Sequence, residues 1–237
     1  AAHIKNVPGR KTDVADCSWI AQLLEHGLLR ASFVPPPEIR ELRDLTRYRK
    51  VLIEEHSREV NRAHKVLQDA GIKLSSVATD ILGVSGRAIM EALIAGSRQP
   101  QQLASLAKGK LRPKFDQLVK ALEGRFSEHH AFLLGELLKH VDHLEESIAR
   151  CSTQIEEKLR PFSQAVELLK TVPGIDQRTA EVVLAETGGN MERFPSAGDL
   201  ASWAGLCPGN NESAGKRHGW KSRKGNRSLS IALTEAA

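Results

Sequence analysis

Aromatic side chains make up only 4% of this 237-residue chain. That scarcity argues against a sheet surface that stacks nucleic-acid bases on aromatic rings. Three cysteines, Cys17, Cys151 and Cys207, lie far apart and form no Cys-x-x-Cys pair. They fit neither a zinc site nor a disulfide framework and point to a reducing compartment. No signal peptide opens the chain and no apolar run is long enough to span a bilayer, so no membrane partner is expected. Acidic residues are missing altogether before Lys11.

What is present is an uneven distribution of charge. The net charge is only +5, but residues 71–114 hold seven basic and two acidic side chains, and residues 208–237 hold six and two. Residues 115–160, with six basic and nine acidic, are net negative. Two basic islands on a near-neutral body suggest local contact with an anionic polymer. For residues 71–114, solvated surface charge is an equally open reading.

The second island is the more pointed. Pro208 to Arg227 carries six Lys/Arg residues, one acid (Glu212) and four glycines, with no run of apolar residues. Glycine and asparagine allow a backbone to approach a partner closely, and the cations suit phosphates. Ser213 stands among them, followed by Lys216 and Arg217. A cationic loop presenting a hydroxyl is what chemistry on a phosphodiester needs; an ordinary solvated loop has the same composition.

Upstream, the pattern is helical. Thr12 is a candidate N-cap for a helix with Asp13 and Asp16 in its first turn and Trp19, Ile20, Leu23 and Leu24 as its buried face. The i,i+3 spacing aligns the two carboxylates on one face. They can hold Mg²⁺, which prefers oxygen ligands, or simply complement the helix dipole. After Pro35-Pro36-Pro37, a long helix is expected over Glu38–Ala70, and a solvated surface accounts for its many paired-sign charges. Shorter, glycine-punctuated helices follow in 71–114. A second long helix is expected from Pro113 to Leu159. Its positions Leu134, Leu137, Val141, Leu144, Ile148, Cys151 and Ile155 alternate steps of three and four, a coiled-coil seam. Its partner is either the first long helix folded back antiparallel or a second copy of the chain. From Pro161, Leu168 to Leu184 fits a helix-hairpin-helix, whose turn can bind a phosphate through backbone amides. Asp176 at that turn argues against direct DNA contact.

Several stretches resemble the insertion-sequence transposases that pair an N-terminal RuvC-like DEDD domain with a C-terminal serine-bearing domain. They are Lys11-Thr-Asp-Val-Ala-Asp16, Thr171-Val-Pro-Gly-Ile175, Ala185-Glu-Thr-Gly188, Leu200-Ala-Ser-Trp-Ala-Gly-Leu-Cys-Pro208, Asn211-Glu-Ser-Ala-Gly215 and Arg223-Lys-Gly-Asn-Arg227. The resemblance implies a mainly α chain in three parts. Residues 1–34 would be the C-terminal remnant of a RuvC-like α/β domain. Residues 35–160 would be a long-helix coiled coil with the basic insert 71–114, and residues 161–237 a small helical serine domain with its helix-hairpin-helix. It implies Ser213 as the catalytic nucleophile, Asp13 and Asp16 as catalytic Mg²⁺ ligands, and Lys216, Arg217, Lys221, Arg223, Lys224 and Arg227 as the cations that hold DNA. It further implies a structured guide RNA, homo-oligomerisation through the coiled coil, and action in a bacterial or archaeal cytoplasm, at the nucleoid. The first two acids of the family's tetrad have no counterpart before Lys11. These 237 residues alone are therefore expected to be inactive on DNA. The alternative is a catalytically inactive nucleic-acid-binding and oligomerisation module.

Overall fold

In the computed structural model, residues 12–29, 34–207 and 224–237 are described in full, and residues 212–213 and 216–217 by their backbone. The described residues are mainly helical, and the chain divides into two units, 1–36 and 37–237. None of the helices among the described residues is long and apolar enough to cross a membrane.

The first unit contributes α1, Asp13–Glu25. Thr12 caps it as the sequence suggests, its hydroxyl accepting from the Ala15 amide at 3.3 Å. The expected buried face is not realised. Trp19 and Leu23 are half-buried, Ile20 and Leu24 are exposed, and no residue of α1 is buried. The apolar stripe is present, but nothing within this unit's described residues is large enough to cover it.

The second unit is built on two long helices, α2 (Pro37–Asp69) and α6 (Glu128–Leu159). They pack antiparallel within one chain: Glu41 pairs with Lys158, His56 with Glu145, and Asp69 with His130. The expected second long helix is interrupted. Its first part is α5, Phe115–Ala121, and α6 begins only after Ser127. Two contacts force the break. The Arg125 amide donates to the Ala70 carbonyl at 2.6 Å, and a Cβ at Gly124 would overlap that same carbonyl. Ser127 then restarts the helix through a capping box with His130. The seam of α6 is Leu134, Leu138, Val141, Leu144, Ile155 and Leu159. Leu138 takes the place assigned to Leu137, because 3.6 residues per turn drifts from a strict heptad.

Between α2 and α6 the insert folds back as α3 (Val84–Ile94), α4 (Pro100–Ser105) and α5, joined by 3₁₀ turns at Leu74–Ser76 and Gly109–Lys114. Together with one end of the long pair it forms an apolar core. Leu67, Ile72, Leu74, Ile81, Ile89, Met90, Leu93, Leu103, Leu118 and Leu134 are all almost completely buried there. A Cβ at Gly86 would run into the Ile81 backbone, so α3 sits directly on the preceding chain.

At the other end lie α7 (Ser163–Lys170), α8 (Gln177–Thr187), α9 (Ala197–Ala204) and α10 (Arg227–Ala236). Their apolar contacts are smaller. One cluster joins Leu42, Ile155 and Leu159 of the long helices to Val166, Ala180, Leu184 and Ala185; another joins Val183, Ala204 and Leu229. Buried charge supplements them. Arg49 of α2 pairs with Glu181 of α8, both side chains at most 5% exposed. Gln177 donates to the other oxygen of that carboxylate at 2.9 Å. Not all of the α2 cations are therefore solvated surface.

Candidate active site

The serine segment leaves and returns at one point of the fold. Helix α9 is started by a capping box between Ser196 and Asp199 and stopped by Gly205 in the left-handed conformation, φ +80. Phe194 packs on Trp203 with ring centroids 5.4 Å apart. On return, Gly225 lies against the same stop: a Cβ there would overlap the Gly205 nitrogen and the Ala204 carbonyl carbon. Only glycine fits that approach. The next residue, Asn226, donates its amide to the Trp203 carbonyl at 3.0 Å and caps α10 by accepting from the Leu229 amide.

Within the segment, β1 (Glu212–Ser213) pairs antiparallel with β2 (Lys216–Arg217). The register sets Ser213 opposite Lys216 and Glu212 opposite Arg217. Among the cations proposed from the sequence, Lys224 and Arg227 are exposed. Lys221, Arg223 and His218 lie outside the described residues.

The hairpin turn before α8 is built differently from an open phosphate site. Gly174 takes φ +86, and a Cβ on it would overlap the Ala236 carbonyl at the end of α10. The Asp176 carboxylate caps α8, accepting from the Thr179 amide at 2.8 Å. That hydrogen bond holds the carboxyl below the usual aspartate range.

Asp13 and Asp16 are both exposed in the first turn of α1. Among the described residues, no group of three or more His, Cys, Asp or Glu side chains converges on a point where a metal ion could sit. Two carboxylates still suit Mg²⁺, which is commonly held by one or two protein carboxylates, with waters and substrate phosphates completing its shell.

Known transposase families match the regions that hold these elements. A transposase model described as the IS116/IS110/IS902 family matches residues 166–237, and a DEDD transposase model of IS110 type matches residues 2–72. The chain belongs to the IS110/IS116/IS902 transposase family. A 42 kDa protein of insertion element IS900 from Mycobacterium paratuberculosis is 31% identical over 220 residues, covering 84% of this chain and 53% of that protein. A 43.6 kDa protein of insertion element IS110 from Streptomyces coelicolor is 35% identical over 98 residues, 37% of this chain and 24% of its own length. This transposase-family chain thus spans about half the length of the first relative and a quarter of the second. Its two matched regions are the one bearing Asp13 and Asp16 and the one bearing Ser213.

Sequence reasoning missed Arg43, Arg47, Arg49, Glu181 and Glu186 as a set. One signal was available. Ile39, Leu42, Thr46 and Arg49 follow steps of three and four, so Arg49 continues the buried stripe of α2.

Proposed function

We propose that this chain is the part of a mobile-element transposase that cuts and rejoins DNA through Ser213. One observation carries the reading: Ser213 is set in register with Lys216 on a short β-hairpin whose flanking residues, Gly205 and Gly225, are packed against each other. The backbone of Ser213 is thereby set across from that of a lysine, on a segment whose two ends meet at Gly205 and Gly225. Its oxygen attacks a phosphodiester phosphorus. The Oγ–P bond forms as the bond to one deoxyribose oxygen breaks; solvent takes the serine proton and supplies one to the departing oxygen. Attack by a deoxyribose hydroxyl of the recipient strand on the phosphoserine reverses these steps, reseals DNA and restores Ser213.

A serine hydroxyl is a weak nucleophile at neutral pH and needs help from charge. Lys216 and Arg217 stabilise the charge that builds on the phosphate oxygens, and Lys221, Arg223, Lys224 and Arg227 hold the strand. Asp13 and Asp16 would hold a divalent ion, Mg²⁺ by its oxygen preference, which when bound neutralises phosphate charge. The long-helix pair acts as a coiled coil that also joins copies of the chain, supported by exposed Tyr48, Val51 and Phe132 on its helices. The hairpin before α8 is a helix-hairpin-helix used mainly for packing, as its Asp176 cap and its contact with Ala236 suggest. A structured guide RNA selects the sites, and the protein works on cellular DNA in the cytoplasm. The region around Asp13 and Asp16 belongs to a RuvC-like domain.

The full-length protein is incubated with donor DNA, quenched in denaturant and assayed for protein–DNA adducts. Wild type should give an adduct and Ser213→Ala none; an adduct with the alanine variant would sink the proposal. A second reading, a nucleic-acid-binding and assembly module without catalysis, draws on the exposed carboxylates of α1 having no third ligand among the described residues. It predicts DNA binding with no adduct from either protein.

A further inference from the structure

The base of the serine segment is tied to the long helix α2 by a buried carboxylate. Glu186, in the last turn of α8, is 0% exposed. One of its oxygens accepts from Arg47 Nε at 2.7 Å and the other from Arg47 Nη2 at 2.9 Å, a two-pronged pair. Arg43 Nε lies 3.1 Å from the second oxygen, and its Nη2 donates to the Glu186 backbone carbonyl at 2.7 Å. The last donor is Asn226, whose Nδ2 reaches the second oxygen at 2.7 Å. Burial draws the Arg43 guanidinium below its ordinary value, and the Glu186 hydrogen bond raises that of Arg47.

Asn226 is consequently a junction of three elements. It holds α9 through the Trp203 carbonyl, α10 through its cap, and α2 through Glu186. Gly225, its neighbour, is seated on Gly205, where the serine segment departs. A charge-assisted bond in a buried site is strong and directional. Apolar contact at this end of the fold is smaller than in the insert core. An Asn at this position also does something that another N-cap residue cannot. Ser would cap α10 equally well but lacks the amide that reaches Glu186, while Asp would cap it and place a second carboxylate against a buried one.

We propose that Glu186 and Asn226 are positioning residues for Ser213: they lock the base of its hairpin to α2 through Arg43 and Arg47, so that the hydroxyl meets the scissile phosphate in line. The inference rests on the reading of Ser213 as the nucleophile. Displacing a reacting group by about 1 Å costs about 100-fold in rate, so the effect should fall on the chemical step and leave DNA affinity intact.

The test uses the full-length protein and four variants: Ser213→Ala, Asn226→Ser, Asn226→Asp, and the swap Asn226→Asp with Glu186→Gln. Two readouts are taken, the adduct formation rate at saturating donor DNA and amide hydrogen exchange in peptides covering residues 203–229. Asn226→Ser, which keeps the cap and loses only the bond to Glu186, should slow adduct formation about 10- to 100-fold with the dissociation constant for DNA unchanged. Its exchange should rise at residues 224–229. Asn226→Asp should be slower still. The swap returns one carboxylate and one amide to the same pocket and should recover much of the lost rate. If Asn226→Ser reacts at the wild-type rate, or if the swap is no better than Asn226→Asp, the proposal is overturned. Exchange separates this outcome from failure of the serine reading. If Ser213→Ala still forms adducts, the nucleophile is wrong, and faster exchange in Asn226→Ser then reports only an anchor for the fold.

Discussion

The two ends of the α2–α6 pair are stabilised by different chemistry. The insert end closes around an almost wholly apolar core, from Leu67 and Ile72 through Met90 to Leu118 and Leu134. At the serine end the apolar clusters are smaller, and two buried carboxylates, Glu181 and Glu186, meet arginines of α2. Apolar burial supplies free energy without direction and tolerates repacking. Buried ion pairs yield little net stability but require one geometry, since an unpaired partner is costly. The insert end is thus suited to holding the long helices together, and the serine end to fixing where α8, α9 and α10 stand on α2.

Removing one charge should break the serine end hardest. Glu181→Ala leaves Arg49 buried without a partner and should cost about 3–5 kcal/mol, seen as a lower denaturant midpoint. The double change Arg49→Met, Glu181→Leu removes both charges at once and should be neutral or stabilising. If the double variant is as unstable as Glu181→Ala, the pair contributes more than orientation and the contrast fails. At the insert end Ile89→Ala should cost about 2–5 kcal/mol by transfer and cavity terms. Its adduct formation per folded molecule should match wild type, because Ile89 packs in the core at the insert end.

The smallest effect belongs to the α8 cap. Asp176→Ala should cost about 1 kcal/mol near neutral pH. The Thr179 amide lowers the Asp176 pKa in the fold, so this contribution is fully present above the ordinary aspartate value of about 3.9. It is lost as pH falls through the lower folded value. The gap between Asp176→Ala and wild type should therefore close in acid and stay constant from about pH 5 upward. A gap that widened on acidification would contradict the cap assignment.

Much of the fold was legible because local signals agreed with tertiary ones. Pro37 opens α2, Thr12 caps α1, and most of the buried face of α6 follows the expected apolar period. The break before α6 was not legible. Its cause is a close approach of Gly124 to Ala70, more than fifty residues away in sequence. The α1 stripe misled in the other direction, since periodicity records a preference for burial and does not supply the partner. Of the candidate site, Ser213 and the cations around it stood out by composition and by motif. Glu186 did not, because a carboxylate near the end of a helix reads as surface until Arg43, Arg47 and Asn226 are brought to it from distant parts of the chain.

The most direct test of the account is to find where DNA becomes attached. Adducts of the full-length protein, trimmed with nuclease and digested with trypsin, should carry a phosphodeoxynucleotide on the peptide 194–216, with fragmentation placing it on Ser213. A nucleotide on any other side chain, or cleaved donor DNA with free phosphate ends and no modified peptide, would contradict it.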